Sequence, residues 1–265
     1  MARPRARTAA GFPALATGLL ALSWAALLVW EATPYGRYLH HGDWASAGLA
    51  GTICTVVPGG AWLVPGLLYT GGWLLMTAAM MLPTSAPLMR LFDRMIAERP
   101  DRAKLHALLI AGYLLAWAGF GVAAHLLDRA VHAMLADLAW LADHAYVLGA
   151  LILALAGAFQ FSALKYHCLD RCRAPLGFLT SHWHGPRPRL EAFRLGLAHG
   201  AYCVGCCWAL MLLMFMVGTG SLGWMLLLGL VMAVEKNHPW GRRLSAPLGG
   251  ILLAGAGFVL FRALA

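Results

Sequence analysis

The stretch LHALLIAGYLLAWAGFGVAAHLL, residues 105–127, contains no Asp, Glu, Lys or Arg. As a helix rising about 1.5 Å per residue, it would cross the roughly 30 Å hydrocarbon layer of a bilayer. A helix on the surface of a soluble protein keeps one polar face, and this segment has none, so it reads as membrane-spanning. The same pattern recurs on both sides of it. Apolar segments lie near 11–30, 59–82, 144–164, 192–217, 222–235 and 247–264. With 105–127 they give seven expected spans, the sixth being short and drawing in neighbouring residues. The stretch from Trp44 to Val57 is apolar but short and rich in glycine, so it reads as a re-entrant or interfacial helix that would raise the number to eight. The expected fold is all-α, a polytopic transmembrane helical bundle in which residues 1–265 form a single integral membrane domain.

Composition agrees. Hydrophobic residues make up 61% of the chain and charged residues 12%, with mean hydropathy +0.69, whereas soluble domains carry roughly 45–50% apolar and about 25% charged residues. The formal charge of +9 would suggest nucleic acid in a soluble protein. Here 17 of the 20 Lys and Arg residues fall in the N-terminal tail and in the connections 83–104, 165–194 and 236–246, which alternate along the chain and so share one side of the expected spans. That asymmetry is the positive-inside pattern. It orients the chain with its N-terminus in the cytoplasm and its C-terminus outside, in a bacterial inner membrane, and leaves no nucleic-acid partner to invoke. The basic start Met1 to Arg7 resembles a secretory signal, but the apolar run after it exceeds the typical signal core of about 7–15 residues, so a retained anchor is expected.

Orientation decides how the cysteines read. Cys168, Cys172, Cys203, Cys206 and Cys207 fall toward the cytoplasmic side, where thiols stay reduced, and so serve better as ligands than as structural disulfides. Cys54 stands apart on the outer side. The most informative string is HGAYCVGCCWALM, from His199. At about 100° per residue, His199, Cys203 and Cys206 share an arc of roughly 60°, with Cys207 at its edge. One imidazole and several thiols on one helix face make a soft-metal ligand set, which selects Cu(I) first and Zn(II) next. Cysteine is also a small packing residue, yet three of them with an intramembrane histidine on one arc ask for more than packing.

Other segments add candidates. Cys168 and Cys172 are four residues apart, on one face of a continuing helix that Pro175 would end. Met76 and Met80 share a face near the end of the second span, with Met81 pointing elsewhere, and Pro83 and Pro87 mark a helix exit or kink. Glu235 lies at the inner end of the sixth span, as a partner for Lys236 or an arginine, or as a harder ligand. His182 and His184, in the loop SHWHGPRPR, read as solvated. The expected metal ligands are therefore Cys203, Cys206, Cys207, His199, Cys168, Cys172, Met76, Met80 and Glu235, converging near one level of the membrane.

Four strings, MTAAMMLP (76–83), CLDRCRAPLGFLTSHW (168–183), HGAYCVGCCWALM (199–211) and EKNHPWG (235–241), resemble the bacterial predicted metal-binding integral membrane proteins, a family sometimes labelled copper chaperones. The resemblance extends from about Trp73 to Gly241. Where that family has a plain leucine-rich stretch before its PWG, this chain has Asn237 and His238. The resemblance implies metal binding at the cysteines, histidine and methionines just named.

Taken together, these features lead us to expect a membrane protein, not an enzyme, that handles a soft cation, Cu(I) before Zn(II), in delivery or transport. Its expected partners are the lipid bilayer, the metal ion and a metalloprotein or metallochaperone. Two alternatives stay open: a membrane thiol–disulfide oxidoreductase using the CxxC spacing of Cys203 and Cys206, and a non-transporting assembly factor for a metalloenzyme. An intramembrane hydrolase has no support, since the spans contain no HExxH string and no paired carboxylates.

Overall fold

The computed structural model describes residues 11–32, 63–137, 144–217 and 222–264, and these are helical with short connections. The helices are α1 (Gly11–Ala32), α2 (Leu63–Met81), α3 (Ala86–Met95), α4 (Arg102–Asp137), α5 (Ala145–Phe159), α6 (Ala163–Arg173), α7 (Pro175–His182), α8 (Pro188–Val217), α9 (Leu222–Asn237) and α10 (Ser245–Leu264). Two 3-10 turns, Pro83–Ser85 and Gly241–Leu244, join α2 to α3 and α9 to α10. The expected re-entrant stretch 44–57 and Cys54 lie outside the described residues.

Within the described residues each expected apolar segment is largely helical, but the span count differs. Among the described residues, three stretches are long and apolar enough to cross a membrane: Arg102–Val131, Pro188–Met214 and Gly241–Ala263. Two bent pairs raise the number to five if each is one span. The seven expected spans are therefore not all found at spanning length. In α9 the reason is length, since 16 residues reach only about 24 Å.

The bends have local causes. After Met81 the chain tightens into the turn Pro83–Ser85, because Pro83 has no N–H to continue the ladder; Thr84 Oγ1 donates to the freed Met81 carbonyl at 2.8 Å. The axis turns by 45° there. Between α5 and α6 the bend is 61°, and the Ser162 hydroxyl restarts the helix by accepting from the Lys165 N–H at 3.1 Å, an N-cap. Sequence reading carried one helix through this point; the structure breaks it, so the Cys168/Cys172 segment takes its own direction. Pro175 then opens α7 at a position where a missing N–H costs nothing.

The core is organised on the crossing of α4 and α8, the most extensive helix contact. Small residues let the two backbones approach. A β-carbon on Gly112 would collide with the Phe193 carbonyl oxygen, and one on Gly196 with the Leu109 carbonyl oxygen. Close packing of this kind is the usual basis of helix association in lipid. Because the colliding atoms are backbone, no rotamer change relieves them. Gly196→Ala is accordingly expected to destabilise the protein by about 1–3 kcal/mol, seen as a lowered unfolding temperature in detergent.

Around this crossing, α2 packs on α4, α6 on α8, and α9 touches α2, α6 and α8, while α10 lies along α5. Leu151 and Leu155 on α5, Leu226 and Leu230 on α9, and Ile251, Phe258 and Phe261 on α10 stay exposed. At the far end of α3, Asp93 closes the bend by accepting from Arg102 at 2.5 Å and contacting His106 Nε2 at 2.7 Å. This leaves the end of α2, the turn after it, the middle of α8 and the end of α9 facing one another.

Candidate functional site

The site is built on α8, where His199, Cys203 and Cys207 follow one another at intervals of four and so form a line down one face. All three are buried. They look toward the end of α2 and its turn. His199 Nε2 lies 3.2 Å from Ser85 Oγ, and its ring stacks on Tyr113 at 5.8 Å. Its Nδ1 is buried without a hydrogen-bond partner.

One turn on, Cys203 Sγ meets two polar groups. The Tyr113 hydroxyl oxygen is 3.0 Å away and Lys236 Nζ is 2.8 Å away. Cys207 Sγ lies 3.9 Å from Met81 Sδ, and both Cys206 and Cys207 donate back to the Cys203 carbonyl, at 3.1 and 2.8 Å. Such local bonds satisfy a buried thiol without any external partner.

Lys236 is at the centre of this arrangement. Its ammonium lies 3.3 Å from Thr84 Oγ1, 3.9 Å from Met81 Sδ and 4.0 Å from Cys207 Sγ, besides the contact with Cys203. Three sulfur atoms, two thiol and one thioether, thus surround one point that a cation occupies. Asn237 steadies the end of α9 by donating from Nδ2 to the Thr84 carbonyl at 3.2 Å.

The remaining candidates divide. Cys206 reaches α6, where its thiol interacts with that of Cys172, while it stays beside Cys203, Cys207 and the Lys236 charge. Cys168 packs against α8 instead, its Sγ only 2.6 Å from where a β-carbon on Gly205 would sit; glycine there makes room for the thiol. Met76 and Met80 are buried, and Met80 faces α9 at Gly229, whose added β-carbon would meet Met80 Cβ at 3.7 Å. Gly229 lies two helical turns, about 10 Å, before Lys236. The Met81 side chain, set aside on the helical wheel, is the one that reaches the cysteines.

Glu235 also points elsewhere. Its carboxylate accepts from Lys165 Nζ at 2.9 Å and from the Ser245 hydroxyl at 2.6 Å, and Arg173 donates to its backbone carbonyl. Of the partners expected for Glu235, Lys236 or an arginine, neither pairs with its carboxylate: adjacent residues of a helix diverge by about 100°, which turns Lys236 away, and Lys165 takes the place. His182 bonds within α7 to the Phe178 carbonyl at 2.9 Å and stacks on the Phe178 ring, and His184 is exposed.

Among the described residues, no group of three or more His, Cys, Asp or Glu side chains is arranged to hold a metal ion. What gathers instead is a mixed set that needs methionine and lysine to be counted. Sequence reading missed Met81, Lys236, Tyr113 and Thr84. One signal for Lys236 was present: an ionisable residue inside an apolar segment calls for a named partner, and its neighbour Glu235 could not be that partner and face another helix as well. As a donor set, two thiols and a thioether with an unpartnered imidazole nitrogen one turn away fit a soft monovalent cation.

A family model described as PpoB2, copper chaperone, matches residues 70–259. No curated protein and no solved structure matches the chain. The match covers more than half of the chain, from within α2 into α10, and includes every residue of the sulfur cluster; the chain belongs to the PpoB2 copper chaperone family.

Proposed function

We propose that this protein is a membrane-embedded copper chaperone whose cargo, Cu(I), binds among Cys203, Cys207 and Met81. Supporting this reading most directly is the convergence of three sulfurs from two helices on one buried point, in a chain of a copper chaperone family. Thiolate and thioether together suit Cu(I) better than Zn(II), which favours thiolate, imidazole and carboxylate. His199, with its free Nδ1, is the next ligand along α8, and the Cys172 and Cys206 thiols offer a second position to which the ion can step by ligand exchange. Transfer between neighbouring soft sites needs only that each new bond form as an old one loosens.

In this reading the protein lies in a bacterial inner membrane with its N-terminus in the cytoplasm, which keeps the five described cysteines reduced. Their free state fits that setting. The exposed leucine, isoleucine and phenylalanine side chains of α5, α9 and α10 are what lipid would cover. An oxidoreductase working through Cys203 and Cys206 is less well supported, because both thiols are at most 2% exposed and exchange with a partner's disulfide requires access.

Anaerobically purified protein is expected to carry copper at close to one ion per chain by elemental analysis. Met81→Leu, which removes one soft donor and keeps the volume, should weaken Cu(I) binding about tenfold, while Met80→Leu should leave it unchanged. Zinc in place of copper, or no metal after exposure to Cu(I), would end the copper reading.

A further inference from the structure

Lys236 has no place in a purely structural account of the bundle. It is 5% exposed, and a buried ammonium is ordinarily matched by a carboxylate. The nearest in sequence, Glu235, is taken by Lys165 and Ser245. Among the described residues no carboxylate forms an ion pair with Lys236. Its neighbours are instead the sulfurs of Cys203, Met81 and Cys207 and the Thr84 hydroxyl, with Cys203 Sγ at 2.8 Å.

We propose that Lys236 is a tethered competitor for the copper site: its ammonium holds the Cys203 lone pairs that Cu(I) must take, so that loading displaces the lysine and its return promotes release. The inference rests on the copper reading above. Two positive charges drawn to one sulfur in a water-poor site repel each other strongly. The lysine side chain has somewhere to go, since α9 ends one residue later and Asn237 and His238 are exposed. Four flexible methylenes allow the ammonium to reach that surface.

One consequence concerns the proton: Cu(I) takes thiolates, so loading releases the Cys207 thiol proton, held on the Cys203 carbonyl in the empty site, as the ammonium leaves. Tethering also gives the competitor a high effective concentration at the site. A sulfur cluster that would otherwise retain its cargo then exchanges it, as a delivery protein requires.

The test is a competition titration of full-length, detergent-purified protein with Cu(I) against a chromogenic Cu(I) chelator, under anaerobic conditions. Lys236→Gln keeps a polar contact for Thr84 but removes the charge, and is expected to hold Cu(I) about tenfold more tightly and to release it more slowly; Lys236→Arg, which keeps the charge, should not gain affinity. Equal or weaker binding by Lys236→Gln, with wild type still binding Cu(I), overturns the competitor and leaves the copper reading standing. Failure of both proteins to bind Cu(I) overturns both.

A second measurement needs no variant. The chain has three lysines, Lys104, Lys165 and Lys236, of which Lys104 is exposed and Lys165 is fully buried. Acylation followed by mass spectrometry should show Lys236 labelling rise several-fold when Cu(I) is added to wild-type protein, with Lys104 and Lys165 unchanged. Labelling of Lys236 that stays level or falls on Cu(I) addition would sink the displacement step.

Discussion

The double variant Cys203→Ser/Cys207→Ser is expected to lose Cu(I) binding by more than about a hundredfold. Disturbing the groups that merely orient ligands costs metal sites about 10–100-fold, and this change removes two of the three sulfurs around Lys236 Nζ. Serine keeps the size and the bond to the Cys203 carbonyl, so the fold should survive. Cys168→Ser is the matched control. That thiol packs against Gly205, and its replacement should leave binding near the wild-type value. The measurement is equilibrium competition with a Cu(I) chelator on protein whose gel-filtration profile is unchanged. Undiminished binding by the double variant would remove these cysteines from the site; a mixed disulfide to a partner, trapped by alkylation, would revive the oxidoreductase reading.

Glu235→Gln should produce the largest loss of stability. The pair it breaks is almost wholly enclosed, with side-chain exposures of 0% for Lys165 and 2% for Glu235. Removing one member of such a pair typically costs about 3–5 kcal/mol, because the remaining charge is stranded away from water. Replacing both by apolar residues of similar volume avoids that penalty, so Lys165→Met/Glu235→Leu should recover most of the stability lost in the single variant. Thermal unfolding in detergent reads both. The double variant also separates two roles for Glu235: if the carboxylate serves only to hold α9 against α6 and α10, Cu(I) affinity returns with the stability. Stable protein that binds no copper would make Glu235 a ligand after all.

These expectations depend on features of unequal legibility. The helices around 105–127 and 192–217 were readable because length and apolarity answer a single question, whether a segment tolerates lipid; that the two cross each other was not. The break at Gln160–Ser162 was not readable. Serine is common inside membrane helices, and it becomes an N-cap only where the packing of α6 on α8 rewards a change of direction. Pro83 and Pro175 did announce their helix ends, since a missing N–H acts locally and needs no neighbour.

At the site the division is similar. Spacing placed His199, Cys203 and Cys206 on one arc, with Cys207 at its edge, and Cys168 and Cys172 on another, but a helical wheel says nothing about which face meets which helix. Met76 and Met80 matched each other on the wheel, yet the bend after Met81 turns that residue to the cysteines. Cys206, three residues from Cys203, also meets Cys172, and so joins a cysteine of α6 to those of α8.

By itself the sequence determined that the chain is a helical, apolar protein with candidate soft ligands grouped at helical spacings, because residue type, spacing and hydropathy are local properties. Only the tertiary structure decided which of those ligands meet and that a lysine sits among them. Glu235 and Lys236 are neighbours in the chain, but one turns to Lys165 and the other to Cys203, and that choice is made by the rotation of α9 against its neighbours.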